Sequence, residues 1–125
     1  MTDHNHRIFV YGSLMSGECN HGRLAGARFV GAVRTAPGYV LYDLGPFPAL
    51  ARGGNKRATG ELYEVDDAIR TALDLLEGHP RFYCRTLIKL ADGGFAEAYM
   101  LSNGQARGRP VIECGSWRCR KESTR

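Results

Sequence analysis

The sequence has no apolar run approaching the roughly 18 residues that a membrane-spanning helix needs. It has no C-x-x-C pair. Cys19, Cys84, Cys114 and Cys119 are scattered, and the nearest two, Cys114 and Cys119, have no second close pair and no paired histidines beside them. That argues against a structural zinc site and leaves free thiols in a reducing cytosol as the expectation. The P-loop, the dinucleotide fingerprint and the G-x-S-x-G elbow are missing, so those three chemistries have no local support. Linkers, internal repeats and low-complexity stretches are also missing. The 125 residues therefore read as one domain spanning 1–125, with polar N-terminal residues 1–6 and a basic C-terminal tail 118–125. The polar start, Met1 to Arg7, leads into an apolar segment too short for a secretory signal, and a cytoplasmic location is expected.

What is present is ordinary for a soluble globular chain, with 24% charged and 43% hydrophobic residues. The net charge of +4 is concentrated at the end, in Arg118, Arg120, Lys121 and Arg125 against Glu122. We read it as a solvated tail rather than a nucleic-acid site. Phe82-Tyr83-Cys84-Arg85 interleaves aromatic and basic residues, but it alternates as a strand, which assigns its aromatics to the core.

Glycines fall between short apolar runs, the pattern of short strands joined by tight turns. Ile8 to Tyr11, Phe29 to Val33, Tyr39 to Leu44, Thr59 to Val65, Phe82 to Leu90 and Phe95 to Leu101 read as strands, and Asn20 to Leu24 as a single helical turn. Pro46, Phe47 and Pro48 read as a rigid extended loop. One helix is clear: Asp66 is its N-cap, Ile69, Ala72, Leu73 and Leu76 form its apolar face, Gly78 suits its C-terminal cap and Pro80 forbids continuation. The Asp92-Gly93 pair marks a hairpin tip. The element pattern indicates an α+β protein with a sheet able to curl into a small barrel.

Two segments carry chemistry. In Val10-Tyr11-Gly12-Ser13-Leu14 a buried strand ends at a glycine and a hydroxyl residue. Such a turn can present backbone N–H groups to a carboxylate or oxyanion, and it also fits a plain turn. Ser13 need not be a nucleophile. The second segment is Leu73 to Pro80, where Glu77 ends the helix. A carboxylate at the negative end of the dipole should have a raised pKa, more so if half buried, useful in a group that takes and returns a proton near neutral pH. The residues alone leave it equally open that Glu77 is an exposed terminal side chain. His79 has no partner at ligand spacing and reads as structural rather than metal-binding; His4 and His6 fall in the polar terminus.

Together these segments resemble the γ-glutamylcyclotransferase-like family, which includes γ-glutamylamine cyclotransferases, BtrG-like and AIG2-like proteins. The matching pieces run in order: Phe9 to Leu14 with Asn20-His21, Phe29-Val30-Gly31, Gly38-Tyr39 through Leu44-Gly45, Phe47-Pro48-Ala49 and Gly60 to Val65. Leu73-Asp74 with Glu77 to Pro80, Tyr83-x-Arg85, Ala98-Tyr99 and Gly115-Ser116-Trp117 complete them. The resemblance implies a small mixed β-barrel flanked by one or two helices, with a cavity at one end. It implies a glutamyl-binding turn at Tyr11, Gly12, Ser13 and Leu14, and Glu77 as the catalytic residue. Tyr83 joins the expected substrate-binding residues, and Tyr99 is a further candidate to line the cavity. The implied reaction is cleavage of a γ-glutamyl amide by its own α-amine, releasing 5-oxoproline without cofactor or metal. The implied partner is a small γ-glutamyl substrate, with no nucleic acid and no membrane, in a monomer or weak homodimer. The alternative is a non-catalytic binding module on the same fold.

Overall fold

A computed structural model describes residues 6–119. The chain folds as β1 (His6–Val10), a 3₁₀ turn (His21–Leu24), β2 (Arg28–Arg34), β3 (Tyr39–Asp43), β4 (Pro48–Arg52) and β5 (Thr59–Val65). Then follow α1 (Asp67–Glu77), β6 (Cys84–Lys89), β7 (Phe95–Met100) and the short α2 (Asn103–Ala106). The seven strands form one mixed sheet, in the order β2-β5-β1-β7-β4-β3, with β6 paired to β7. The pairs of β7 with β1 and with β4 are parallel, and the others are antiparallel. The α+β expectation holds, but "barrel" describes the sheet only loosely. β2 and β6 meet at the single bridge Thr35–Leu90 rather than along a ladder.

β1 explains why its sequence is a continuous apolar run. It lies between β5 and β7, and Ile8, Phe9 and Val10 are all buried, as expected of a strand covered on both faces. The core continues through Leu50, Leu62, Leu73, Ile88 and Leu90. Val30 is the extra residue of a β-bulge, since the register with β5 steps from Phe29↔Tyr63 to Gly31↔Leu62.

Several local expectations need correction. Pro48 does not belong to a loop. It opens β4, paired with Asp43 in a hairpin, a position where the missing N–H of proline is tolerated. β4 was not legible because its buried run Pro48-Ala49-Leu50-Ala51 has no β-branched residue and no alternation. β6 begins at Cys84, so Phe82 and Tyr83 stand in the turn before it. Phe82 is 46% exposed rather than core. Ala72 is exposed, and α1 buries Leu73 flanked by half-buried Ile69 and Leu76. His6 begins β1 instead of trailing in the terminus. Cys114 and Cys119 are disulfide-linked, with Cα atoms 6.4 Å apart; only Cys19 and Cys84 are free. Arg118 is docked: it pairs with Glu61 and Glu18 and donates to the Ser16 carbonyl. His4 and the basic residues beyond Arg118 lie outside the described residues.

Candidate active site

At one end of the sheet a cavity of about 260 Å³ opens between the turn after β1, the start of β4, the end of α1 and the turn before β6. It brings together all six residues singled out from the sequence: Tyr11, Gly12, Ser13, Leu14, Glu77 and Tyr83.

The turn is built so that its carbonyls point into the protein. The Gly12 carbonyl accepts from the Met15 N–H at 3.0 Å and the Ser13 carbonyl from the Asn20 N–H at 2.8 Å. The Leu14 carbonyl meets His21 Nδ1 at 3.0 Å. The N–H groups of Gly12, Ser13 and Leu14 have no acceptor among the described residues. A run of such donors in a turn that lines a cavity can serve as an anion-binding arrangement. Asn20 also donates to the Ser13 hydroxyl oxygen at 2.9 Å. Gly12 is required by packing, because a Cβ there would stand 2.8 Å from Pro48 Cγ. The freedom of glycine is used to admit the proline, and φ at Gly12 is not positive.

Glu77 is placed by the last turn of α1. Asp66 caps the helix start, accepting the Ile69 N–H at 2.8 Å. Gly78 ends it with φ of 68° and ψ of 33°, the left-handed region. The Glu77 carbonyl then accepts the Tyr83 N–H at 3.2 Å, tying the helix end to the turn before β6. Glu77 lies four residues after the buried Leu73, so it shares the inward face of α1. Its carboxylate has no hydrogen bond or ion pair among the described residues, and burial pushes its pKa up to about 7. The cause is desolvation by burial, which the sequence reading gave as a reinforcement of the helix-end effect.

A second set of charges pins this helix to the sheet. Asp74 accepts the Tyr99 hydroxyl at 2.7 Å and the Arg85 guanidinium. Arg85 also pairs with Glu97 at 3.2 Å, and Glu97 with Arg70 on α1 at 3.5 Å. Burial alone would raise the Asp74 pKa, but hydrogen bonds from Arg85 and Tyr99 outweigh it and hold the carboxyl below its usual value. His79 accepts the Arg85 N–H at 2.9 Å on Nδ1, a structural role.

The tyrosines divide by what their hydroxyls do. Tyr83 donates to the Pro48 carbonyl at 2.8 Å. Tyr11 donates to the Tyr99 carbonyl and accepts the Leu50 N–H at 3.1 Å. Their rings wall the cavity while their hydroxyls serve the fold. Phe47, Phe82 and Asn20 also line the cavity but were given no role from the sequence. The two phenylalanines carry no local signal that separates them from core aromatics. No group of three or more histidine, cysteine, aspartate or glutamate side chains able to hold a metal occurs among the described residues. None of the helices described is long and apolar enough to cross a membrane.

The comparison that decides the family is a match of residues 8–119 to the model of Gamma-glutamyl cyclotransferase, AIG2-like. The chain belongs to that family. A Vibrio cholerae relative that bears the name "Putative gamma-glutamylcyclotransferase" is 38% identical over 112 residues, covering 90% of this chain and 95% of that protein. The crystal structure of c4763, a uropathogenic E. coli-specific protein, is similar with a TM-score of 0.82 and 28% identity, covering 96% of this chain and 98% of that one. That of an AIG2-like protein from Mus musculus is similar with a TM-score of 0.71 at 28% identity, covering 89% and 88% respectively. Within this AIG2-like chain, the turn after β1 and the end of α1 are the two segments that meet at the cavity.

Proposed function

We propose that this cyclotransferase-family protein cleaves γ-glutamyl amides by intramolecular attack of the α-amine on the γ-carbonyl, releasing 5-oxoproline and a free amine or amino acid. The observation that supports it most is Glu77. Among the described residues it is a half-buried carboxylate without a partner, with a pKa near 7, on the same cavity as three N–H groups without acceptors.

In this reading the N–H groups of Gly12, Ser13 and Leu14 hold the glutamyl moiety by its carboxylate and fix a curled pose. Well-oriented intramolecular reactions reach effective molarities of roughly 10⁵–10⁸ M, so the pose supplies much of the rate. The α-nitrogen forms a bond to the γ-carbon, and the bond from that carbon to the leaving nitrogen breaks. The α-ammonium gives up two protons, and both end on the leaving amine. Glu77, with a pKa near the working pH, relays them one at a time. Neither water nor an enzyme nucleophile enters the balance, and Ser13 acts through its backbone.

The test is release of 5-oxoproline, followed by mass spectrometry, from γ-glutamyl amides of amines and amino acids and from glutathione. Wild type should give product and Glu77→Gln should lose about 10²–10⁴-fold in rate. A Gln variant of near-normal rate removes Glu77 from the role. If no amide yields product yet 5-oxoproline binds, the binding-module reading takes its place.

A further inference from the structure

Glu61 is the one buried charged residue among those described, and the reaction above makes no use of it. A buried carboxylate is costly unless it is paired and hydrogen-bonded. Its Oε1 accepts the Ser16 N–H at 2.8 Å and the Tyr63 hydroxyl at 3.0 Å, and its Oε2 accepts the Ser16 hydroxyl at 2.8 Å. Burial works to raise its pKa, but these hydrogen bonds and the charge of Arg118 outweigh it and hold the carboxyl below its ordinary value. Ser16 stands two residues after Leu14, so Glu61 fastens the exit of the turn that lines the cavity.

Arg118 completes the anchor from the far end of the chain. Its Nη2 donates to the Ser16 carbonyl. Its Nη1 lies 3.6 Å from Glu61 Oε2, and its Nε lies 3.5 Å from Glu18 Oε2. Ser16 is thereby held at its N–H, its hydroxyl and its carbonyl. The Glu18 N–H donates to the Met15 carbonyl, and the Met15 N–H to the Gly12 carbonyl, each at 3.0 Å, so the contacts pass step by step into the turn. A long side chain such as arginine is costly to order, and here the segment that bears it is itself fixed. Trp117 is buried, the Thr59 N–H donates to the Gly115 carbonyl at 2.8 Å, and the Cys114–Cys119 disulfide closes the chain around Trp117 and Arg118. None of Ser16, Glu18, Glu61 and Arg118 lines the cavity.

Resting on the cyclotransferase reading for the ligand, we propose that Arg118 is a positioning residue, which through Ser16 and Glu61 sets the Gly12–Leu14 turn for the α-carboxylate of the glutamyl group. Removing its charge takes away the cation that pairs Glu61 and Glu18, and the two carboxylates then repel each other across Ser16. The Ser16 carbonyl is released at the same time. The turn then loses the fixed alignment of N–H groups on which a preorganised anion site depends.

The experiment measures binding of 5-oxoproline by calorimetry, together with its release from the γ-glutamyl amides. Arg118→Met keeps an apolar stem and removes the charge. It should raise Kd for 5-oxoproline about tenfold and lower kcat/KM by a similar factor, a size common for coupling between residues in contact. Arg118→Lys, which keeps a cation opposite the two carboxylates, should lose less than Arg118→Met. Arg109→Met makes the same change of charge at an exposed site and should stay within about twofold of wild type. The acid limb of the rate near pH 7, set by Glu77, should not move in any of them. The Arg118 side chain is 42% exposed, so its variants should fold, and circular dichroism checks that. An unchanged Kd in Arg118→Met, even with a lower melting temperature, overturns the positioning role. An equal loss in Arg109→Met overturns it in favour of net charge. If wild type binds 5-oxoproline but cleaves no amide, the reaction fails and the Kd comparison still decides for or against Arg118. If wild type neither cleaves nor binds, the reaction and this inference fall together.

Discussion

Tyr11 and Tyr99, which both line the cavity, are joined by a hydrogen bond: the Tyr11 hydroxyl donates to the Tyr99 carbonyl and the same oxygen accepts the Leu50 N–H at 3.1 Å. One hydroxyl thus bridges β7 and β4 just beyond the end of β1. Tyr11 is buried, and desolvation, reinforced by the neighbouring Tyr83, keeps its hydroxyl protonated well above its ordinary pKa. Tyr11→Phe leaves a buried carbonyl and a buried N–H without their partner, a loss of about 1–3 kcal/mol. Urea unfolding should register that loss. KM for a γ-glutamyl amide should change by no more than about twofold, because the hydroxyl is already occupied by the protein.

Glu77 gives a pH-dependent stability with a definite sign. Its folded pKa lies near 7, above the ordinary value of 4.5. The native state therefore binds the proton more tightly than the unfolded chain does between these values. Stability falls as pH rises through that window and is flat above it. Each pKa unit is worth about 1.4 kcal/mol, and partial solvent contact reduces the sum to about 1–3 kcal/mol. Glu77→Gln should accordingly melt higher than wild type at pH 8 and about equally at pH 4, by thermal unfolding. Activity should run the opposite way, rising with pH as the carboxylate ionises near pH 7. A wild-type rate flat from pH 5 to 8 would contradict the assignment.

Asp74 should control Glu77 without touching substrate. It fastens α1 through Arg85 and the Tyr99 hydroxyl one turn before Glu77. Asp74→Asn weakens both bonds, admits water to the helix end and should return the Glu77 pKa toward 4.5. The acid limb of the rate profile should then move below pH 7, with kcat reduced more than KM. A mere loss of stability would lower the melting temperature and leave that limb in place. Because Asp74 is held below its usual pKa, its own stabilising contribution is present above the unfolded pKa and is lost as pH falls through the folded one.

Much of the secondary structure could be read locally. β1 announced itself as a continuous apolar run, and α1 by its Asp66 cap, its periodicity and the Gly78 stop. The β6–β7 hairpin announced itself at Asp92-Gly93. β4 could not be read that way, because its burial comes from pairing with β3 and β7 and its composition is that of a loop. The disulfide was equally hidden, since two cysteines five positions apart pair only when the fold turns the chain back between them.

For the site, the sequence by itself determined which residue types stand at the two ends: a glycine-hydroxyl turn after a buried strand, and a glutamate at the final position of a capped helix. Local rules suffice for these because caps, turns and periodicity involve neighbours within a few residues. That the two ends share one cavity, that Glu77 has no partner there among the described residues, that its pKa rises by burial, and that Phe47 and Phe82 line the same cavity were decided by tertiary structure alone. Desolvation and unpaired dipoles depend on what lies across the cavity, and those atoms come from β4, α1 and the turn before β6, far apart along the chain.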